Sequence, residues 1–430
     1  MDHPDILIIG AGLAGLCCAR RLAEQGQSFQ ILEAADQVGG RIRTDLVHGF
    51  RLDRGFQIFL TSYPEARRIL DYEDLQLQKF TRGALIRYRG RFHRLVDPRK
   101  QPFAALGSIT APIGTFRDKI RLCKAALRWS RGEPEANGFH EESLTLDFLR
   151  WNGGFTEQMI DQFFRPFFGG VFLEKKLLTS SRFFRFLFKM FSQGDATLPA
   201  QGMQAIPEQI ANQLPKNAIR FHTKVEKIEG GKVILSSGEV LSAKQIILAT
   251  EGPTAARLLE NRIPEPSSRG VTCLYFATER PPINEPILML DGENRGPVNN
   301  LVVLSAAAPS YAPPGQSLLY ASVLGVPEEE DQKLEARVRV QMNEWFGPQV
   351  KNWRLLRVDR IPHALPDQSP LALDPPQRAV RLEPGLYVCG DHRENASING
   401  AMTSGYRAAQ AVLEDLQSGI KAGPEVPAAR

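Results

Sequence analysis

Residues 5–33 constrain the fold of this chain more than any other stretch. Asp5-Ile-Leu-Ile-Ile9 is a short apolar run of the kind buried in parallel sheets, and it feeds directly into Gly10-Ala-Gly12-Leu13-Ala14-Gly15. Leu16 to Glu24 reads as a helix, and Phe29-Gln-Ile-Leu32 as a second strand ending on Glu33. A Gly-x-Gly-x-x-Gly carries meaning only in this strand–turn–helix–strand context. Gly10 permits the tight turn, Gly12 lets the backbone around Leu13 and Ala14 approach a pyrophosphate, and Gly15 lets the helix pack closely on the sheet. The helix N-terminus adds a partial positive charge. Glu33, eighteen residues beyond Gly15, is placed to bond ribose hydroxyls. The pattern predicts an α/β dinucleotide-binding domain.

Six residues past Glu33 comes Gly39-Gly40-Arg41. Two glycines there allow the backbone to fold against a bound cofactor, and Arg41 brings a fixed cation close to its phosphates. A plain nicotinamide domain has no need of this extension. From Gly10 to Arg41 the chain resembles the superfamily of FAD-dependent oxidoreductases that includes amine oxidases, protoporphyrinogen oxidases and phytoene-type carotenoid desaturases. Asp53-Arg-Gly55-Phe-Gln57 looks like that family's segment just before the flavin ring. Near the other end, Gly385-Leu-Tyr-Val-Cys-Gly390-Asp391 reads as a strand ending in Gly-Asp, followed by an amphipathic helix from about Gly400 to Leu416. The resemblance implies that Gly390 and Asp391 meet the ribityl chain. It also implies that Gly400, Ala401 and Met402 present a helix N-terminus to the flavin pyrimidine edge, where reduced flavin gains negative charge.

Between these ends, Phe221–Ile228 and Val233–Leu235 read as a hairpin closed by Glu229-Gly-Gly231, and Gln245–Thr250 as another buried strand. The resemblance places the backbone of Val225 against the adenine; the alternative is an ordinary sheet position. Leu198 to Pro207 looks like the family's Gly-Met segment, with Gln201 standing where a first glycine is often found. The resemblance thus implies an α/β fold: a Rossmann-like FAD-binding domain with a discontinuous α+β substrate domain, in the amine-oxidase and glutathione-reductase manner. Residues 1–80, 200–265 and 360–416 are expected in the FAD-binding domain, 81–199 and 266–359 in the substrate domain with its helical lid, and 417–430 in a tail. FAD is expected to be non-covalent, because Cys389 lies inside a strand and offers no obvious attachment point.

Composition removes other classes. With 43% hydrophobic and 23% charged residues, neither disorder nor a coiled coil fits. A net charge of +5, from 53 basic and 48 acidic residues, is too mild for a nucleic-acid partner but leaves room for an anionic substrate or membrane surface. The five cysteines form an odd, scattered set without a C-x-x-C pair, which argues against disulfides and metal clusters and for a reducing, cytoplasmic compartment. The seven histidines show no metal-ligand spacing, so no metal is expected. The first residues are acidic where a signal peptide would be basic. The charge-free stretch from Gly296 to Pro327 is broken by prolines and reads as two strands, Leu301–Leu304 and Leu318–Leu324. The chain is therefore expected to be soluble, or bound to one membrane face.

The middle of the chain must shape the substrate pocket. Ala84–Tyr88 and Phe92–Leu95 read as an arginine-rich hairpin, and helical pattern runs from about Thr115 to Trp129. Between Phe155 and Phe191, 37 residues hold eleven of the 24 phenylalanines, with six Lys/Arg interleaved. This predicts a helical lid with a phenylalanine core, one face of which could rest on a membrane. The second insertion predicts strands Val271–Phe276 and Ile287–Leu290, a helix Glu328–Trp345 and a last stretch Trp353–Ile361. Amine oxidases of the resembled family typically keep a lysine in this sheet. Here none occurs between Lys244 and Lys333. The expected chemistry is therefore hydride removal from a hydrophobic substrate, isoprenoid, carotenoid-like or tetrapyrrole, with oxygen, a quinone or a diffusible carrier as acceptor. Flavin amine oxidation is the alternative, and a non-catalytic escort of the same fold a third. Acid–base candidates are few: His363 and His392, each read first as a structural ring satisfied by backbone.

Overall fold

The computed structural model describes residues 5–99, 101–131, 142–260 and 262–418. The first four residues, and the expected tail from 419 onward, lie outside them. Apolar runs form the middle of a six-stranded sheet in the order Ile219–Arg220, Phe29–Leu32, Ile6–Ile9, Gln245–Leu248, Leu386–Val388 and Arg381–Glu383. The first five strands are parallel and the last is antiparallel. All four residues of Ile6–Ile9 are buried, because both faces of the strand are covered. Ile6 and Ile8 pack toward the helices Leu13–Glu24 and Ile398–Gln417. Leu7 and Ile9 pack toward Val225, Val233 and Leu235 of a small antiparallel sheet. The helix expected from Leu16 begins at Leu13, because Gly12 is already an extended N-cap. The second half of the glycine loop is thus the first helical turn.

A seven-stranded sheet lies beside it, ordered Arg354–Pro366, Ser268–Thr278, Ser317–Leu324, Val298–Val303, Leu288–Asp291, Gly83–Tyr88 and Arg91–Val96. All neighbours pair antiparallel except Leu288–Asp291 with Gly83–Tyr88. Two-residue alternation sorts its side chains. Leu274 and Phe276 pack with Val338 and Met342 of helix Asp331–Phe346, while Cys273 and Tyr275 join the core shared with the parallel sheet. Three expectations shift. Leu304 is not strand but starts the short helix Leu304–Ala307. Strand Val225–Glu229 starts four residues later than expected, after His222 at φ 52°. Strand Arg354–Pro366 runs through position 360, so the boundary expected there falls inside this sheet.

The phenylalanine-rich segment is largely core. Phe164, Phe168, Phe184 and Phe188 are buried, with ring centroids 4.7 Å apart for Phe168–Phe184 and 4.9 Å for Trp129–Phe188. Of its six cations, Arg165 engages Asp161 at 2.7 Å, Lys175 engages Asn294 at 2.8 Å and Arg182 engages Glu142 at 2.6 Å. Among the described residues no helix is long and apolar enough to cross a membrane.

Candidate functional site

Backbone, more than side chains, builds the first part of the site. A Cβ on Gly12 would meet no protein atom within 4 Å, and the residue faces a cavity of about 1580 Å³. Gly10 (φ +105°), Leu13 and Ala14 line the same cavity. Gly15 does not: a Cβ there would lie 2.0 Å from the Gly10 carbonyl oxygen, so this glycine lets the helix close onto the strand. The Gly39 N–H donates to the Ala11 carbonyl at 2.8 Å, which folds Gly39-Gly40 against the loop and sets Gly40 beside Gly12. Glu33 is buried and accepts from the N–H groups of Ala11 at 2.7 Å and Ala35 at 2.8 Å, one on each oxygen. Each oxygen keeps a second lone pair for a hydroxyl donor. Val225 lines the cavity beyond.

Arg41 and Asp391 are 350 residues apart and were expected to serve different parts of a cofactor; the fold pairs them. Arg41 Nη2 donates to Asp391 Oδ1 at 2.7 Å, and Nη1 to the Ala364 carbonyl at 3.1 Å. Burial alone would raise the Asp391 carboxyl, but the charge and hydrogen bond of Arg41 outweigh it and hold the group below its ordinary value. Gly390 and Asp391 both line the cavity.

The C-terminal helix corrects the expected assignment. Ser397 caps it, its Oγ accepting from the Gly400 N–H at 2.9 Å, while the Ala401 N–H donates to the Ser397 carbonyl at 3.0 Å. Those amides are occupied. The first two of the helix, on Ile398 and Asn399, have no carbonyl one turn back. Ser397, Ile398 and Ala401 line the cavity, whereas Gly400 and the fully buried Met402 do not. The N-terminal end thus sits near 398, and the Ser397-x-x-Gly400 cap was the sequence signal for it.

Neither histidine candidate reaches the cavity. His363 is exposed in strand Arg354–Pro366 and is left out of the wall that its neighbours Ile361, Pro362, Ala364 and Leu365 line. His392 is buried behind Gly390, and among the described residues neither ring nitrogen has a hydrogen-bond partner. The expected backbone partner is therefore missing, and burial lowers the ring to about 4, so it is neutral at pH 7.

The seven-stranded sheet contributes residues that the sequence reading missed. Asp359, Ser322 and Asn300 line the cavity, and cross-strand register aligns them in one row through Cys273. Arg357 donates to Asp45 at 2.8 Å and pairs with Asp359 at 2.7 Å, and Arg54 pairs with Asp45 at 2.9 Å. Tyr320 OH accepts from the Phe56 N–H at 3.1 Å, and Tyr275 OH accepts from the Gly55 N–H at 3.2 Å. These contacts fix Asp53–Gln57 against the sheet. No local signal marked the missed residues, since every residue from Arg357 to Pro362 lines the cavity and only the cross-strand register sets the row.

The model of the family described as flavin containing amine oxidoreductase matches residues 13–413. The chain belongs to this family. As a flavin-containing amine oxidoreductase it is an FAD-binding oxidoreductase, and the open cradle at Gly12 and Gly40, with the spare acceptors of Glu33, fits that cofactor. This flavin oxidoreductase is 23% identical over 166 residues to protoporphyrinogen oxidase 2 of Arabidopsis thaliana, covering 39% of the chain and 32% of that enzyme. It is 31% identical over 135 residues to the carotenoid phi-ring synthase of Streptomyces griseus, covering 28% of the chain and 25% of that enzyme. The chain spans about a third or less of either relative. A crystal structure from Exiguobacterium sp. 255-15, assigned as a protoporphyrinogen oxidase, shares its fold. That match has a TM-score of 0.74 and 18% identity, and covers 96% of this chain and 100% of that one.

Proposed function

We propose that this flavin oxidoreductase takes a hydride from a hydrophobic substrate of the isoprenoid, carotenoid-like or tetrapyrrole kind, with its FAD held non-covalently. The observation that carries the reading is the division of the cavity wall. Glu33 and Glu251 stand at the glycine-loop end; the carboxylates of Asp45, Asp97, Asp359 and Asp391 each have an arginine partner, while Phe163, Phe167 and Phe191 line the same cavity. A substrate ammonium would find those carboxylates already matched, and burying it unpaired costs on the order of several kcal/mol. A neutral apolar donor instead gains about 25 cal/mol per Å² buried. Two relatives' names, a protoporphyrinogen oxidase and a carotenoid-ring enzyme, support this side, while a polyamine and a putrescine oxidase, matched over 12% and 18% of the chain, stand with the alternative.

When bound, FAD supplies the hydride-accepting chemistry. The chain's own residues do the holding and shielding. Gly10, Gly12 and Gly40 offer backbone to the pyrophosphate, Glu33 accepts from the ribose, Val225 flanks the adenine, and Asp391, fixed by Arg41, accepts from the ribityl chain. Cys389 is buried and lines no part of the cavity, which supports non-covalent binding. With a single dinucleotide fingerprint, the acceptor is oxygen, a quinone or a diffusible carrier. All five thiols are free, in keeping with a cytoplasmic setting. A lipid-borne substrate implies contact with one membrane face.

The test is anaerobic stopped-flow bleaching of the flavin with two substrate sets. Carotenoid precursors or porphyrinogens should bleach it saturably, and small amines and polyamines slowly or not at all. Rapid, saturable reduction by a simple amine would sink the assignment and put amine oxidation in its place.

A further inference from the structure

Among the described residues, exposed large apolar side chains cluster outside the phenylalanine-rich segment, on helices Pro102–Thr110 and Phe116–Arg131. Phe103 is 88% exposed, Leu106 65% and Phe116 61%, with Ile109 and Ile120 also open to solvent. Scattered exposed hydrophobics need no explanation, but a contiguous patch on two successive helices does. Helix Pro102–Thr110 contains no charged residue at all, which is unusual for a helix with an open face.

The second helix shows how the patch is organised. At about 100° per residue, Phe116, Ile120, Cys123 and Leu127 fall on one stripe, and Arg117, Arg121, Lys124 and Arg128 on the next. Asp118, Ala125 and Trp129 form the third stripe and are buried. Asp118 is the helix's sole acid, and it is held inward by the hydroxyls of Thr115 and Thr156, each at 2.7 Å. The outward faces of this helix are therefore apolar and cationic, with no carboxylate of its own between them. Ile109, Phe116 and Ile120 also line the cavity, whereas Phe103 and Leu106 stand outside it. The patch is the rim of the cavity's mouth.

We propose that these two helices seat the protein on an anionic lipid surface, with the cavity mouth turned toward the membrane. The cationic stripe beside an apolar stripe matches headgroups beside acyl chains. A second copy or a resident protein partner would stopper the mouth; a bilayer supplies the solvent from which an apolar substrate would come. This choice of occupant rests on the hydrophobic-substrate reading, but the experiment uses no substrate, so the two can fail separately.

The flavin-loaded full chain is sedimented with vesicles of phosphatidylcholine alone and of phosphatidylcholine with phosphatidylglycerol. Binding should need the anionic lipid and weaken as salt rises. Arg117→Glu with Lys124→Glu, or Phe103→Asp with Leu106→Asp, should each lower the partition coefficient at least about tenfold with flavin content unchanged. Lys175→Glu with Arg182→Glu, in the phenylalanine-rich segment, should leave it unchanged. No sedimentation with anionic vesicles at low salt overturns the proposal, as does binding indifferent to the four patch residues. Concentration-dependent self-association that Phe103→Asp with Leu106→Asp abolishes would assign the patch to a second copy and likewise overturn it.

Discussion

Gly12 is unusual among the glycines because nothing in the protein forbids a side chain there. Its φ of −72° suits any residue, and a Cβ would project into open cavity. Gly12→Val should therefore fold, and melt within about 2 °C of flavin-stripped wild type, yet bind FAD at least about tenfold more weakly. Absorbance at the flavin band, alongside a thermal melt, checks both halves; a variant with full flavin would remove the loop from the site. Asp53 is the opposite case, a carboxyl enclosed by protein. Burial pushes it up to about 6, against hydrogen bonds from Thr44, the Met203 N–H and Tyr311. Its folded value lies above its unfolded one, so on raising the pH the unfolded chain loses this proton first. Stability from this group is present below about pH 4 and is lost by about pH 6, a change of about 2–3 kcal/mol. Asp53→Asn cannot titrate. The variant should gain on wild type by that amount between pH 4 and pH 7 in urea melts, and a pH-independent difference would refute the assignment.

The lid helices divide their phenylalanines between two tasks. Phe184 is fully buried among Trp129, Phe148, Phe164, Phe168 and Phe188, so Phe184→Ala should cost about 3–5 kcal/mol in a urea melt while keeping the flavin spectrum. Phe167 is only partly buried and lines the cavity, so Phe167→Ala should cost about half that or less and mainly shift the affinity of a fluorescent apolar probe. Equal destabilisation by both would show that the chamber is ordinary core. Such divisions were not legible beforehand, because Phe163 and Phe164, or Phe167 and Phe168, differ by one step around a helix and only the packing decides which faces protein. The same holds for Phe116–Arg131, where periodicity announces a helix with an apolar stripe but not which stripe meets the core. The run from Asp5 to Glu33 was legible because its signals are local: a short apolar strand, glycine punctuation and an acid at fixed spacing. The Arg41–Asp391 pair and the row from Asp359 to Asn300 depend on contacts across much of the chain, and no local pattern carries them.

Taken as a whole molecule, the protein joins its two ends at the site. Strand Ile6–Ile9 lies between residues 29–32 and residues 245–248, with Leu386–Val388 one strand further on. Helices Leu13–Glu24 and Ile398–Gln417 meet backbone to backbone, since a Cβ on Gly405 would fall 2.1 Å from the Ala14 carbonyl oxygen. Contacts of such sequence separation form slowly, since a long loop must close before they stabilise anything. Gly405 therefore has a consequence for biosynthesis. The glycine loop is synthesised long before the helix that presses against it, and Asp391 is made only shortly before that helix. A half-made chain presents apolar strands without their neighbours, a state that calls for chaperones rather than cofactor. The flavin cradle is complete only once strand Leu386–Val388 and helix Ile398–Gln417 have joined the parallel sheet.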